Sequence, residues 1–306
     1  MKIIHNFDNH IPLTHPVTLT IGNFDGVHLG HQFLIERLKK VADENNIQSV
    51  VVSFENHPQS VITANYENHS ICTLAHKLKL LESGGVDLLL LLQFNQDIKK
   101  QSAEEFLTHL YTQLPFSHLI LGYDAVLGNN REGTKDHVIH FAKHLNIEVE
   151  YLEPFKIDHQ PVSSSLIRKA IKQGQLKTIK MLLGRNYSIF GKVIRGLGQG
   201  KALGFPTANI DVSELNLPPL GVYAVEVEYE NKRHKGIVNL GVAPTMRESK
   251  IPVLEIHLLD KNQDLYGKEL NVIFYGFIRP EILFSTTDAL KKQIKDDIDI
   301  AHSILK

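Results

Sequence analysis

The chain has 306 residues, which is enough for about two domains that each bury a core. A hydrophobic fraction of 42% and a charged fraction of 22% are ordinary for a globular protein, and a net charge of −1 argues against a basic surface for nucleic acid or an anionic membrane. The single cysteine, Cys72, excludes an intramolecular disulfide and a cysteine-based zinc site. The N-terminus lacks the apolar core of a signal peptide, and the longest apolar run, Leu88 to Leu92, is too short to span a bilayer. We therefore expect a cytoplasmic protein without membrane or nucleic-acid partners.

Strand-like and helix-like segments alternate in the first half of the chain. Apolar and β-branched runs predict five strands, at 17–21, 48–54, 86–94, 118–123 and 148–152. Apolar residues at helical spacing predict four helices, at 33–41, 73–83, 102–114 and 134–145. Ser102 and Glu105 have the spacing of a capping box at the start of the third helix. The alternation predicts a parallel sheet covered by helices, with ligands at the carboxyl ends of its strands.

The turn after the first of these strands carries the motif I-G-N-F-D-G-V-H-L-G-H-Q, residues 21–32. His28 and His31 lie three residues apart at the start of a helix, so we expect them to share one face. The free amides and positive dipole of that helix end suit a phosphate group. Three glycines let the backbone bend tightly and approach a ligand: Gly22, Gly26 and Gly30. A lone H-x-x-H would more often be two surface histidines, but the whole string indicates a site for a nucleoside triphosphate.

A second phosphate-binding candidate is S-S-S-L-I-R, residues 163–168. A serine at a helix start caps the helix and offers its hydroxyl and amide to a phosphate. Arg168 lies one turn beyond Ser164 and can fork onto phosphate oxygens. In isolation the segment would more often be a plain N-cap with a solvated arginine.

After about residue 185 the pattern changes to closely spaced strands separated by Gly, Pro and Asn turns. The predicted strands are 187–194, 221–229, 235–240, 253–259 and 270–275, which indicates an antiparallel barrel or sandwich. We place the domain boundary there, giving residues 1–184 and 185–306. A helix at 176–185 precedes the boundary, and an amphipathic helix at 287–305 ends the chain. The buried stripe of that last helix is predicted to be Ala289, Leu290, Ile294, Ile298 and Ala301.

The segment G-K-V-I-R-G-L-G-Q-G-K-A-L-G-F-P-T-A-N-I, residues 191–210, is the second Gly-rich candidate. Its amides could wrap phosphates, although a Gly-rich loop alone is more often a turn. Thr207 and Asn209 point the same way on an extended chain, and a hydroxyl with an amide oxygen suits Mg²⁺. In the later segment L-E-I-H-L-L-D, residues 254–260, Glu255 and His257 face away from Ile256 and Leu258.

The motif G-N-F-D-G-V-H-L-G-H resembles the H-x-G-H signature of nucleotidyltransferases, in the form found in bacterial bifunctional riboflavin kinase/FAD synthetases. The segment S-S-S-L-I-R resembles the same family's I-S-S-T-x-I-R. The resemblance implies that His28, His31 and Arg168 stabilise charge during adenylyl transfer. It also implies the ATP-binding residues of this half: Gly22, Asn23, Phe24, Asp25, Gly30 and Ser164.

Two loops resemble the flavin end of that site, with departures. Residues 122–133 match G-x-D-F-x-F-G-x-x-R-x-G except that Ala125 and Leu127 replace aromatics. Residues 54–58 match F-x-P-H-P except that Asn56 replaces proline. The resemblance implies flavin binding by His57, Pro58 and Asp124.

The run G-x-G-K-x-L-G-F-P-T-A-N resembles the riboflavin kinase signature, and E-I-H-L-L-D resembles the family's E-V-H-L-L-D. The resemblance implies that Glu255 is the general base, that Thr207 and Asn209 hold Mg²⁺, and that Arg279 and Glu281 bind flavin. The implied ATP-binding residues of this half are Gly196, Gly198, Gly200, Lys201 and Gly204. The family's usual arginine is a lysine at Lys201, and its aromatic after L-L-D is Lys261.

The resemblance covers nearly the whole chain and implies an α/β nucleotidyltransferase domain, with a Rossmann-like parallel sheet, followed by an antiparallel β-barrel riboflavin kinase domain with a C-terminal helix. It implies two reactions: ATP·Mg²⁺ phosphorylates riboflavin to FMN in the second domain, and a second ATP adenylylates FMN to FAD in the first. A monofunctional riboflavin kinase with an inactive nucleotide- or flavin-binding first domain is the main alternative, because of Ala125, Leu127 and Asn56. A flavin-sensing protein without turnover is a further one. The expected partners are riboflavin, FMN, FAD and ATP, and a homo-oligomer is left open.

Overall fold

The computed structural model describes residues 1–7, 15–63, 70–196, 200, 203–242, 252–260 and 264–306. By its internal contacts the chain divides into two compact units. The first contains Met1–Asn68 and Lys77–Ser163, and the second contains His69–His76 and Ser164–Lys306. The division of function at residue 185 stays a prediction. In the part of the chain just defined, no helix combines the length and the apolar character needed to cross a membrane.

A six-stranded, all-parallel sheet forms the centre of the first unit, which confirms the predicted α/β fold. The strands pair in the order β1-β4-β3-β2-β5-β6 and are, in chain order, β1 (Lys2–His5), β2 (Val17–Ile21), β3 (Ser49–Phe54), β4 (Leu88–Leu92), β5 (Phe116–Gly122) and β6 (Glu148–Leu152). Every residue of β2, β3 and β4 is buried. Because these strands are covered on both faces, they read as continuous apolar runs and were predictable. The edge strand β1 was not predicted, since only Ile4 of its four residues is buried.

Six helices belong to the sheet's connections: α1 (Leu29–Asn45), α2 (Gln59–Ile62), α3 (Leu74–Ser83), α4 (Gln96–Lys100), α5 (Ala103–Gln113) and α6 (Lys135–His144). A short hairpin, β7 (Lys156–Ile157) and β8 (Gln160–Pro161), follows β6. The predicted capping box at α5 is confirmed. The Ser102 hydroxyl accepts from the Glu105 amide at 3.0 Å, and the Glu105 carboxylate accepts from the Ser102 amide at 2.9 Å.

A closed antiparallel barrel forms the second unit and decides between the two architectures that the sequence left open. Its strands pair in the order β10-β13-β12-β11-β14-β9. The elements of this unit are α7 (Ser164–Lys172), α8 (Leu176–Leu183), β9 (Ser188–Ile194), β10 (Ala208–Asp211), β11 (Gly221–Tyr229), β12 (Lys232–Val242), β13 (Pro252–Leu258), β14 (Glu269–Arg279) and α9 (Thr287–Ile304). Closure leaves no strand of the barrel with an unpaired edge.

The last helix, α9, corrects one part of the predicted buried stripe. Ala301 is buried, and Leu290, Ile294 and Ile298 are half-buried as expected for that face. Ala289 is exposed, so its predicted burial is wrong. Neighbouring helix residues lie about 100° apart around the axis, so a stripe through Leu290, Ile294 and Ala301 leaves Ala289 outside it.

Candidate active sites

The turn between β2 and α1 holds its backbone in a conformation that few residue types adopt. Phe24, Gly26 and Val27 have φ angles of 51°, 74° and 38°. The Val27 amide donates to the Phe24 carbonyl at 3.1 Å, and the Gln32 side chain donates to the Val27 carbonyl at 2.9 Å. Phe24 and Asp25 are buried. Strained backbone of this kind persists where the surrounding structure enforces it, and it is common at functional sites.

His28 and His31 share one face, as predicted. Their rings stack with centroids 3.6 Å apart and planes 15° apart. His28 is the N-cap of α1, and its Nδ1 accepts from the His31 amide at 3.3 Å. Because Nδ1 is the acceptor, the proton of a neutral His28 lies on Nε2, which is the donor that a phosphate oxygen needs. A side chain at Gly30 would begin 3.2 Å from the His28 ring, so glycine leaves room for this stacking.

Ser164 and Arg168 belong to the second unit. Ser164 is the first residue of α7, Arg168 lies one turn later, and both are half-buried. The Arg168 carbonyl accepts from the Asn216 side chain at 2.9 Å, which ties α7 to the segment before β11. A single ATP site containing these two residues and the two histidines stays a prediction.

The loop after β3 shows what Asn56 does in place of proline. Its side chain donates to the Phe94 carbonyl at 2.9 Å and accepts from the Phe94 amide at 2.9 Å. This pair of bonds joins the loops that follow β3 and β4. His57 accepts from the Gln59 amide at 3.2 Å through Nδ1, and Pro58 precedes α2 as its N-cap residue. The predicted flavin-binding residues His57 and Pro58 therefore lie at the carboxyl edge of the sheet.

The loop after β5 contains the two residues that replace aromatics of the family pattern. Ala125 and Leu127 pack against the apolar core of the first unit. Leu127 and Gly133 exchange two backbone hydrogen bonds, at 3.2 and 3.0 Å. A Cβ at Gly133 would lie 2.5 Å from the Ala103 Cβ, so the glycine is needed for close packing against α5. Asp124 is exposed just beyond the end of β5.

Strand register brings the second set of predicted residues to one level of the barrel. Asn209 pairs with Glu255, and Glu255 pairs with Asn239. Paired residues of neighbouring strands present their side chains on the same face of a sheet. The same level continues through Ile194, which pairs with Asn209, and through Val222, which pairs with both Asn239 and Arg279.

A pocket of about 830 Å³ opens at this level. Seven of the residues predicted for the kinase site line it: Gly196, Gly200, Thr207, Asn209, Glu255, Arg279 and Glu281. Gly204, with a φ of 89°, lies outside the lining. The predicted Gly198 and Lys201 lie outside the described residues, as does Lys261. The remaining walls are mainly apolar and include Ile237, Val253 and Phe284. A mainly apolar pocket with a few convergent polar groups is the usual form of a small-molecule site.

Glu255 is the carboxylate that this pocket perturbs most clearly. Desolvation within the pocket raises the pKa of Glu255, and the negative charge of Glu281 raises it further. The Glu281 carboxylate packs directly against Gly241 of β12. A Cβ at position 241 would collide with it. A raised pKa makes Glu255 a stronger proton acceptor than an ordinary glutamate.

Arg279 is held by a buried carboxylate from α9. Its Nε donates to both oxygens of Asp297, at 2.9 and 3.1 Å, and its Nη2 donates to Asp297 Oδ2 at 2.8 Å. Gln293 adds a bond to Asp297 Oδ1 at 3.0 Å, and the Arg279 Nη1 donates to the Pro280 carbonyl at 2.9 Å. The Asp297 side chain is 1% exposed. Most N–H groups of Arg279 therefore donate to protein oxygens, and these bonds orient its guanidinium at the pocket wall.

The residues suggested for Mg²⁺ have the donor chemistry that this ion prefers. Thr207 and Asn209 supply a hydroxyl and an amide oxygen, both hard oxygen ligands. The backbone of Gly196 lies directly against the Asn209 amide, and a Cβ at Gly200 would lie 3.0 Å from the Thr207 hydroxyl. The glycines thus leave this polar corner open, so the residues present fit an ion bound with nucleotide phosphates.

Three polar residues near the sites were not among the predicted site residues. His257 lines the barrel pocket and its Nδ1 donates to the Pro206 carbonyl at 2.9 Å, which fixes the chain beside Thr207. Asp297 and Lys77, which are buried charged residues on helices, are the other two. A charge inside an apolar helical stripe was the available signal. Asp297 follows Ile294 by three residues, and Lys77 precedes Leu81 by four.

Both halves of the chain match family models. The model described as FAD synthetase matches residues 10–166, and the model described as riboflavin kinase matches residues 183–305. The bifunctional riboflavin kinase/FMN adenylyltransferase of Buchnera aphidicola is 36% identical over 305 residues, covering 98% of this chain and 97% of that protein. The protein of the same name from Haemophilus influenzae is 36% identical over 305 residues, covering 99% of each. The chain belongs to the family of bifunctional riboflavin kinase/FMN adenylyltransferases.

The fold is also similar to that of a solved structure along nearly the whole chain. That structure is described as a macrolide-efflux protein from Streptococcus pneumoniae, and it aligns with a TM-score of 0.84 and 26% identity over 99% of both chains. The likeness supports the arrangement of a parallel sheet followed by a closed barrel.

Proposed function

We propose that this protein makes FMN from riboflavin and then FAD from FMN, using one ATP in each reaction. Residues 185–306 would carry the kinase reaction, and residues 1–184 the adenylyl transfer. The presence of both family domains, with full-length bifunctional relatives, supports this assignment. The substrates are small molecules. We place the reactions in the cytoplasm, because a chain with a single cysteine, which cannot form an intramolecular disulfide, fits a reducing compartment.

In the kinase reaction, Glu255 accepts the proton of the terminal ribityl hydroxyl of riboflavin. The hydroxyl oxygen attacks the γ-phosphorus of ATP, and ADP leaves. The observation that carries this half is the common pocket of Glu255, Thr207 and Asn209. The raised pKa of Glu255 suits a general base. Glu281 and the apolar wall would receive the flavin, with Arg279 beside them.

Thr207 and Asn209 would hold Mg²⁺ together with the nucleotide phosphates. When bound, Mg²⁺ neutralises charge on the β- and γ-phosphates. The backbone amides of the Gly-rich segment, which includes Gly196 and Gly200, would bind the same phosphates. His257 keeps the Pro206 carbonyl in place, and so keeps Thr207 and Asn209 facing the pocket.

In the adenylyl transfer, a phosphate oxygen of FMN attacks the α-phosphorus of ATP, and pyrophosphate leaves. His28, His31 and the first amides of α1 would stabilise negative charge on the phosphates, with Ser164 and Arg168 as further donors. His57, Pro58 and Asp124 would contact the flavin. Alignment of two anions for in-line displacement is most of the catalytic task, so no enzyme nucleophile is required.

Incubation of the purified chain with riboflavin, ATP and Mg²⁺, followed by chromatography, tests the proposal. The expected result is conversion through FMN to FAD. FMN that accumulates without FAD, even after FMN and fresh ATP are added, would restore the monofunctional alternative. That alternative is not favoured, because the chain matches both family domains and its full-length relatives are named as bifunctional. Riboflavin that binds without conversion would leave a flavin-sensing protein.

A further inference from the structure

Lys77 is a buried lysine that joins two loops of the first unit. Its ammonium group donates to the Phe54 carbonyl at 2.6 Å, the Asn23 carbonyl at 3.2 Å and the Ser53 hydroxyl at 3.3 Å. The Ser53 hydroxyl in turn donates to the Asn23 carbonyl at 3.2 Å, which closes the network. Lys77 is 6% exposed and Ser53 is fully buried. Lysine is seldom buried this deeply unless its ammonium group is paired or hydrogen-bonded.

The two carbonyl groups that accept from Lys77 lie at the starts of the two predicted substrate loops. Asn23 follows β2 and begins the strained turn that leads to His28. Phe54 ends β3 and begins the loop that carries His57. One ammonium group from α3 therefore sets the distance between the turn predicted to bind ATP and the loop predicted to bind flavin.

We propose that Lys77 is a positioning residue for adenylyl transfer, acting through the Asn23 and Phe54 carbonyls. The inference rests on the proposed function of this domain. Its physical basis is the geometric demand of in-line displacement, in which a misplacement of about 1 Å can cost about a hundredfold in rate. The positive φ angles of this turn are strained, and the turn could lower its energy by adopting another backbone conformation. An anchor at Asn23 is therefore needed to keep His28 in place.

Lys77→Met tests the proposal, because methionine fills similar space without donating hydrogen bonds. FAD formation from added FMN and ATP is measured as kcat and KM, alongside FMN formation from riboflavin by the same chain. We expect kcat for FAD to fall at least thirtyfold, with KM for ATP within threefold and kinase activity unchanged. Lys79→Met, at an exposed lysine of the same helix, is the matched control and should retain both activities.

The outcomes separate positioning from mere stabilisation. Unchanged kcat in folded Lys77→Met overturns the proposal, and so does a loss that only follows the fraction of unfolded protein measured by circular dichroism. If Lys77→Met does not fold, Lys77→Arg decides. It keeps charge and donors, but its larger planar head displaces the two carbonyls. The folded arginine variant should then lose at least tenfold in kcat, and an unchanged kcat overturns the proposal. Absence of FAD formation by the unsubstituted chain would instead refute the function itself.

Discussion

The two candidate sites are built in opposite ways. In the barrel, Asn209, Glu255 and Asn239 come from three strands and meet because strand register places them at one level. In the first unit, His28 and His31 come from one turn, and local strain with an N-cap bond fixes their geometry. In a barrel site of this kind, the backbone hydrogen bonds between all the strands fix the positions of the side chains. The turn site depends on a few local contacts, so it should respond to smaller changes.

Glu255→Gln should separate the two sites most sharply. Glutamine keeps the size of the side chain but cannot accept the proton, so we expect FMN formation to fall about 10³-fold. FAD formation from added FMN should be unchanged. Steady-state rates of both reactions on the same preparation check this. The exposed Glu214→Gln is the control and should retain both activities. Survival of FMN formation would show that another group is the base.

Asp297→Asn should show how far the barrel site depends on its scaffold. The substitution leaves the half-buried Arg279 without the buried carboxylate that it pairs with, so we expect a loss of up to about 3 kcal/mol in the free energy of unfolding of the second unit. KM for riboflavin should also rise, because the guanidinium at the pocket wall is no longer oriented. Urea unfolding followed through kinase activity measures the first effect. Asp296→Asn, one residue away and exposed, should unfold at the same urea concentration as the unsubstituted chain. Equal midpoints for both variants would contradict the structural role of Asp297.

His28→Ala should reverse the pattern of Glu255→Gln. It removes a ring that caps α1 and is predicted to contact the phosphates, so we expect FAD formation to fall about a hundredfold. FMN formation should be retained, and His140→Ala, at an exposed histidine of the same unit, should affect neither reaction. Equal loss of both activities in His28→Ala would contradict the assignment of separate sites.

The difference between the sites also explains what the sequence could and could not predict. The His28–His31 turn is contiguous in sequence. Its glycines, the strand before it and the helix after it could therefore all be predicted from one short segment. The buried strands β2 to β4 were predictable for the same reason, since each is one apolar run. The choice of barrel over sandwich depended on pairing between distant strands, including the four-residue β10, which carries no periodicity long enough to detect.

Buried charges were the main features that the sequence could not place. Asp297 and Lys77 each lie on an apolar helical stripe, and periodicity alone treats such residues as exposed exceptions. Their partners are 18 residues away for Asp297 and 23 or more away for Lys77. Only the tertiary fold makes Arg279, or the Phe54 and Asn23 carbonyls, their neighbours. The packing of Ala125 and Leu127 on the core could not be predicted either. Comparison with the family pattern shows that two aromatic residues are absent, but it does not show what the residues in their place contact.

Glu281→Gln gives the finest test, because it changes the charge in the barrel pocket without touching the base itself. The negative charge of Glu281 disfavours the ionised form of Glu255 and raises its pKa. A general base acts when deprotonated, so the rate of FMN formation should fall as pH drops through that raised pKa. Removal of the Glu281 charge lowers the pKa of Glu255, and the acid limb of the kcat profile should therefore move to lower pH. Glu214→Gln should leave the limb in place. A limb that stays fixed in Glu281→Gln would mean that the two carboxylates are not coupled and that desolvation alone perturbs Glu255, and a limb that moves to higher pH would contradict the sign of the coupling.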